Sequence, residues 1–217
     1  MLLQEERESV VEYCRKLDAG RLTTGTGGNI SIFNARDGLM AISPSSMDYK
    51  EMTAEDVVIM DLDANIVDGK LRPSSEFGMH LICYKKRQDI NAVVHTHSPK
   101  ATTLAVMGLD LPAVHYMIAL SGGALVRCTP YRLFGTMELA EEAIKALEGS
   151  FACLLGNHGT LATGPDIGYA YSLAEHMEFC ADIYIRAKTL GEPNILSNEQ
   201  ISEVIEKFLS SYSTQKK

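Results

Sequence analysis

Two of the six histidines, His95 and His97, stand one residue apart in V-V-H-T-H-S, behind an apolar pair that reads as a strand. On a strand, side chains at i and i+2 project from one face with Cβ atoms roughly 6 to 7 Å apart, so two imidazole nitrogens can meet one ion, and Thr96 between them should point the other way. Burying two imidazoles costs desolvation unless they are hydrogen-bonded or metal-bound. Taken alone, H-x-H fits ordinary polar histidines as well as ligands.

His158 supplies a third imidazole, in G-N-H-G at the end of the apolar run F-A-C-L-L, where glycines let the backbone turn tightly. A turn histidine with a local hydrogen bond is the alternative. Three neutral imidazoles, with a carboxylate or water as fourth ligand, are the pattern of catalytic zinc. Glu76 in P-S-S-E is the candidate carboxylate, at a helix start where the dipole favours its charge, though an ordinary helix-start glutamate would look the same. Ser74 and Ser75 bring hydroxyls and unpaired N–H groups to that helix end, a seat for phosphate, and capping would explain one serine rather than two. G-T-G-G-N at 25–29 and S-P-S-S at 43–46 have the composition of anion loops. The first lacks the lysine of a P-loop and the spacing of a dinucleotide fingerprint, which leaves ATP and NAD unsupported.

The elements that must hold these groups follow from periodicity. Residues 5–17 carry Val10, Cys14 and Leu17 at helical spacing, and Gly20 should stop that helix. Strands at 29–33 and 39–43 flank Asp37-Gly38 as a hairpin, and a third strand at 57–62 follows the helix-start pattern T-A-E-D at Thr53. A helix runs from Ser74 into K-K-R, the histidine strand covers 92–97, and Ser98 as N-cap, Pro99 and Gly108 frame a helix at 100–107. Further helices fall at 137–147, 167–190 and, after a capping box of Ser197 and Gln200, 201–209, while 151–155 and 160–162 form a β pair. The polar tail S-T-Q-K-K is frayed or docked on a neighbour. Without a regular β-α-β-α rhythm, the pattern predicts a single layered α/β (α+β) domain over residues 1–217, with a central, mainly antiparallel β-sheet covered by helices.

Composition narrows the partners. A chain of 217 residues, 46% hydrophobic, has the size of one globular domain with a sizeable core. A net charge of −8 without clustered Lys or Arg argues against nucleic acid, so an anionic substrate needs a neutral or metal-based seat. Five scattered cysteines suggest neither disulfides nor a thiolate zinc site. No stretch approaches 18 apolar residues and the N-terminus lacks a signal-peptide pattern, giving no membrane partner and a cytoplasmic expectation.

Five motifs in order, T-G-G-N-I-S-like at 26–31, I-S-P-S-S at 42–46, P-S-S-E at 73–76, V-V-H-T-H-S at 93–98 and N-H-G at 157–159, resemble the class II aldolase/adducin family over nearly the whole chain. The resemblance implies that His95, His97 and His158 bind Zn2+ and that Glu76 is the catalytic acid/base, able also to ligate the metal. It implies a sugar-phosphate substrate whose phosphate rests on Gly28, Asn29, Ser45, Ser46, Ser74 and Ser75. The runs H-Y-M-I-A-L-S-G-G at 115–123 and P-Y-x-x-F-G-T at 130–136 look like the fuculose-phosphate aldolase branch. In that branch the tyrosine matching Tyr116 serves a neighbouring subunit's site within a homotetramer, while Phe134 and Tyr212 match the aldehyde side. A core or interface would want Tyr116 and Phe134 in any case.

The implied reaction is reversible cleavage of L-fuculose 1-phosphate to dihydroxyacetone phosphate and L-lactaldehyde through a metal-stabilised enediolate. Activities of the same fold remain alternatives: an L-ribulose-5-phosphate 4-epimerase, a 5-deoxypentulose-1-phosphate aldolase, a methylthioribulose-1-phosphate dehydratase, or a non-enzymatic module like the adducin head. Two departures stand out: Ser45-Ser46 where some members have Thr-Gly, and an uncertain register for Tyr212.

Overall fold

Alternating side chains split the apolar residues of one sheet between two cores, and that split positions everything else. The computed structural model describes residues 1–213, with side chains as far as residue 210, so the tail expectation for 214–217 lies outside the described residues. In chain order the elements are α1 (Gln4–Ala19), β1 (Asn29–Asn34), β2 (Leu39–Ile42), β3 (Val58–Asp61), β4 (Ile66–Asp68), α2 (Phe77–Lys86), β5 (Ala92–Thr96) and α3 (Pro99–Val106). There follow β6 (Leu111–Pro112), a 3₁₀ turn (Tyr116–Ser121), β7 (Leu125–Val126), β8 (Cys128–Thr129), α4 (Met137–Ala146), β9 (Ala152–Leu155), β10 (Gly159–Gly164), α5 (Ile167–Leu190) and α6 (Asn198–Ser213).

Eight strands form one sheet in the order β4-β3-β2-β1-β5-β10-β9-β8, antiparallel throughout except for the β8–β9 pair. The mainly antiparallel layered α/β fold is the one the sequence predicts. Ile30, Ala41, Ile59, Ala92, Val94, Leu154 and Ala162 face the helices α1, α3 and α5. Met40, Ile42, Val58, Met60, Val93, Leu155 and Leu161 face α2 and α4 instead. Each fully buried Val, Leu or Ile adds roughly 1.5–3 kcal/mol to the driving force, and a one-residue slip of β5 would swap its side chains between two differently packed cores and turn His95 away from α2, so it is disfavoured. Since Val93 points to α2, period two sends His95 to α2 as well. Thr96 points to the other face, with its Oγ1 2.6 Å from Oγ1 of Thr160.

Local expectations fare unevenly. The capping box forms: Gln200 Oε1 accepts from the Ser197 N–H at 2.9 Å, and Ser197 Oγ accepts from the Gln200 N–H at 3.3 Å. Ser98, in contrast, makes no side-chain cap; the carboxylate of Glu178 reaches across from α5 and accepts from the N–H groups of Lys100 and Ala101 at 2.9 Å. T-A-E-D starts no helix, because Asp56 folds back to accept from the Thr53 N–H at 2.8 Å and its hydroxyl at 2.7 Å, closing a turn before β3. Gly20 ends α1 with φ −77°, and Arg21 takes the left-handed step at φ 56°. The cysteines are all free, and no helix among the described residues is long and apolar enough to cross a membrane.

Candidate active site

Glu76, His95, His97 and His158 come from three separate parts of the chain and meet, with one potential ligand atom of each lying within 4.8 Å of the others. His95 arrives on the last turn of pleat in β5, His97 just past the strand, His158 from the turn between β9 and β10, and Glu76 from the residue that caps α2. His95 Nδ1 donates to the carbonyl of Thr160 at 2.8 Å, which leaves Nε2 facing inward. That nitrogen lies 3.0 Å from His97 Nε2 and 3.1 Å from Glu76 Oε2. Glu76 Oε1 lies 3.3 Å from His158 Nε2 without hydrogen-bonding geometry, and both Glu76 Oε1 and His158 Nδ1 are buried with no hydrogen-bond partner.

Two neutral ring nitrogens aimed at each other at hydrogen-bonding distance repel unless a proton or a cation lies between them. Burial raises the Glu76 carboxyl, but the imidazoles of His95 and His158 and the Asn29 amide outweigh it and hold the group well below the usual carboxylate range. Burial lowers His95, yet the adjacent Glu76 carboxylate prevails and raises it. Burial, with positive His95 beside them, pushes His97 and His158 down to about 4. At neutral pH both are therefore unprotonated, the form that binds metal. Three imidazoles and one carboxylate, with one of its oxygens orphaned, fit a divalent ion, and the bond from His95 Nδ1 to Thr160 is the usual outer support for such a ligand.

The glycine loop lies directly on this cluster. A Cβ on Gly27 would sit 2.8 Å from His97 Nδ1, and one on Gly28, at φ 73°, would sit 2.7 Å from the His95 carbonyl. Tyr49 OH donates to the Gly28 carbonyl at 2.7 Å, fastening the loop. The two serine loops run side by side, with Ser74 N–H on the Ser43 carbonyl at 3.0 Å and Ser45 N–H on the Arg72 carbonyl at 2.9 Å. Ser45, Ser46 and Ser75 are exposed and Ser74 is buried, its Oγ accepting from the Glu76 N–H at 3.3 Å. Ser46 carries φ 58°, the conformation glycine takes without strain, so the Thr-Gly to Ser-Ser departure falls on a position with a backbone preference.

Asn29 is placed differently from a plain phosphate ligand: its Nδ2 donates to Glu76 Oε2 at 3.0 Å and its Oδ1 meets His80 Nε2 at 2.5 Å. One amide hydrogen stays available for substrate. An open cavity of about 380 Å³ beside the cluster is lined by Glu76, His97, His158, Asn157, Phe134, Tyr131 and Arg132. The last two were missed in the sequence, although they sit inside the P-Y-x-x-F-G-T run. His80 was missed as well; one helical turn after Glu76, its i+4 spacing was the available signal.

Tyr116 does not join the cluster within one chain. It stands on the 3₁₀ turn, 48% exposed, packed against His115 and Phe208, and lines another cavity with Glu175, His176 and Phe179. Tyr212 lies in α6, and its side chain falls outside the described residues.

Residues 8–185 match the class II aldolase and adducin N-terminal domain family. A 5-deoxy-D-ribulose 1-phosphate aldolase of Bacillus thuringiensis serovar kurstaki is 51% identical over 208 residues, 96% of this chain and 97% of that protein. An L-fuculose phosphate aldolase of Escherichia coli is 37% identical over 200 residues, 92% of each chain. Among solved structures, an L-fuculose 1-phosphate aldolase superposes with a TM-score of 0.93 at 45% identity, covering 96% of this chain and 98% of that one. These relatives are lyases acting on sugar phosphates, and the chain belongs with them, as an enzyme of the aldehyde-lyase class, to the class II aldolase and adducin N-terminal domain family.

Proposed function

We propose that this enzyme cleaves a short deoxyketose 1-phosphate between C3 and C4, releasing dihydroxyacetone phosphate and a small aldehyde. The observation that carries the reading is the Glu76–His95–His97–His158 cluster, set against glycine and serine loops and an open cavity with an apolar lip. Zinc held by His95, His97 and His158, with Glu76 in reach, would supply Lewis acidity at the substrate's ketone.

The chain's own residues do the rest. Hydroxyls of Ser45, Ser46, Ser74 and Ser75, the Gly28 backbone and the free amide hydrogen of Asn29 bind the phosphate without adding charge, as an acidic protein requires. As the C3–C4 bond breaks, its electron pair stays with the dihydroxyacetone phosphate half. The O4 hydroxyl gives up its proton as the aldehyde forms, passing it to solvent by way of Tyr116 of a neighbouring copy, while Glu76, ionised at rest, takes up a proton from solvent and delivers it to C3. Phe134 and Tyr131 receive the apolar end of the aldehyde, and the family resemblance gives Tyr212 a role at that same aldehyde. Exposure of Tyr116, Phe134 and Phe179 supports a homotetramer with sites between subunits. Free thiols at all five cysteines suit the reducing cytoplasm.

A 5-deoxypentulose 1-phosphate, which would give acetaldehyde, is the first substrate, supported by the 51% identical relative. L-Fuculose 1-phosphate, which would give L-lactaldehyde, is the second reading, supported by the H-Y-M-I-A run and the relatives at 37% and 45% identity. The two differ by one hydroxymethylene in the part that meets Phe134. A coupled assay for dihydroxyacetone phosphate, run on both compounds with zinc-loaded protein and with L-ribulose 5-phosphate as control, should show faster cleavage of the deoxypentulose ester. Absence of cleavage of either ester would end this assignment.

A further inference from the structure

His80 is wholly buried on α2 and has no place in the reaction as derived so far. Its surroundings follow from register. Asn29 pairs with His95 and Ser31 with Val93, so both turn toward α2, where His80 and Tyr84 stand one helical turn apart over them. His80 Nε2 meets Asn29 Oδ1 at 2.5 Å, His80 Nδ1 meets Ser31 Oγ at 2.7 Å, and Ser31 Oγ meets Tyr84 OH at 2.5 Å. With Asn29 Nδ2 on Glu76 Oε2 at 3.0 Å, a single chain of hydrogen bonds joins Tyr84 to Glu76.

Such a chain has two possible directions, and they are not equivalent. Running from Tyr84, its hydroxyl donates to Ser31, Ser31 donates to His80 Nδ1, His80 Nε2–H donates to Asn29 Oδ1, and the Asn29 NH2 group donates to the Glu76 carboxylate. Every link of the chain then pairs a donor with an acceptor, and the second Asn29 amide hydrogen stays free for substrate. Reversed, the Asn29 carbonyl oxygen would face an anionic carboxylate, and the hydroxyl hydrogen of Tyr84 would have no acceptor among the described residues. An unpartnered buried donor costs about 1–3 kcal/mol, so the first direction prevails. Burial keeps His80 neutral at working pH, pushing it down to about 3, so it carries one ring proton and must choose a nitrogen.

We propose that His80, held as the Nε2–H tautomer by Ser31 and Tyr84, is a positioning residue: it turns the Asn29 amide so that the NH2 group faces Glu76 and fixes that carboxylate against His95. The inference rests on the assignment of Glu76 and the three histidines as a metal site, and Asn29 is the link through which His80 acts. A chain that orients a ligand's carboxylate in this way is worth about tenfold in metal affinity or turnover, the usual size for outer partners.

The test has readouts that do not depend on knowing the sugar. Long-range ¹⁵N–¹H correlation spectra of ¹⁵N-histidine-labelled protein should show His80 with a protonated Nε2 and an unprotonated Nδ1. Finding the Nδ1–H form, or an even mixture, overturns the proposal. Ser31→Ala removes the donor to Nδ1 and leaves the proposed zinc ligands in place; it should mix the tautomers and weaken zinc binding, measured by competition with a chromophoric chelator, by about three- to tenfold. His80→Phe should weaken it about tenfold or more, and Ser31→Ala keeps the test decisive should that variant not fold. Unchanged zinc affinity in Ser31→Ala with mixed tautomers overturns the positioning role. Wild-type protein that binds zinc with these signatures but cleaves neither ester would sink the substrate assignment and leave this inference standing; wild-type protein that binds no zinc would remove both.

Discussion

The Nε2 atoms of His95 and His97 lie 3.0 Å apart, so that either a shared proton or a cation must lie between their lone pairs. Removing metal should therefore destabilise the protein as well as silence it. Treatment with a strong chelator is expected to abolish ester cleavage and lower the melting temperature by several degrees, with zinc restoring both, since a ligand that binds only the folded state stabilises it by mass action. His97→Ala should lose most bound zinc. A chelated protein with unchanged melting and full activity would contradict the metal reading.

Glu76→Gln keeps the size of the side chain and an oxygen that can accept from Asn29 while removing the carboxylate proposed to move a proton at C3. A positioned acid/base group contributes about 10²–10⁴ in rate. Turnover should fall within that range while KM for the phosphate ester changes little, as the serine and glycine loops remain. Steady-state release of dihydroxyacetone phosphate measures both. A variant retaining more than half of wild-type turnover would shift the acid/base role elsewhere.

Acid should undo the site in a defined window. His97 and His158 are pushed down to about 4 and His80 to about 3, against an ordinary value of 6.5, so the unfolded chain binds more protons than the folded one between those limits. Stability from these groups is complete above pH 6.5 and is lost as pH falls through 4. Denaturant melts of metal-free protein at stepped pH should show that decline, and bound zinc should be released over the acid end of the same window as His97 and His158 take up protons. Stability that held or rose as pH approached 4, where His95 is protonated folded and unfolded alike and adds no slope, would show that His97 and His158 are not buried neutral.

The histidine strand was legible because period two is rigid: once Val93 must face the core, His95 has no choice of side. The loops were legible because glycine at 27 and 28 leaves room that no other residue would, as the contacts with His97 and His95 show. What stayed hidden is non-local or short. Glu178 caps α3 from 77 residues away, while β6, β7 and β8 span two residues each, too short for any periodicity to register. His80 reads as one more residue in an apolar helix until the register of β1 puts Ser31 and Asn29 beneath it.

Gly159 offers a structural check on that close packing. A Cβ there would sit 2.9 Å from His97 Cδ2 and collide with the Thr96 carbonyl, a backbone atom that cannot swing aside. Overpacking of this kind costs about 1–3 kcal/mol. Gly159→Ala should lower the melting temperature and displace the His97 ring, so zinc affinity should drop alongside stability. Wild-type zinc affinity in a destabilised variant would mean that the ring is held by something other than β10.

Tyr116 supplies the sharpest test of assembly. Within one chain it lines a cavity with His115, Glu175 and Phe179, apart from the one beside His97 and His158. If it acts at a neighbour's zinc, then Tyr116→Phe and His97→Ala damage different halves of one composite site. Each variant alone should be nearly inactive, because every site in its homo-oligomer is defective. Mixed by co-expression or by denaturing and refolding together in equal amounts, they should regain activity, since a site built from the His97 side of one variant and the Tyr116 side of the other is intact. Random assembly in a ring with one site per interface makes about a quarter of the sites intact, which sets the expected recovery. No recovery from a mixture that demonstrably forms hybrid oligomers would place Tyr116 outside the reaction and return it to the packing role that its aromatic neighbours alone would explain.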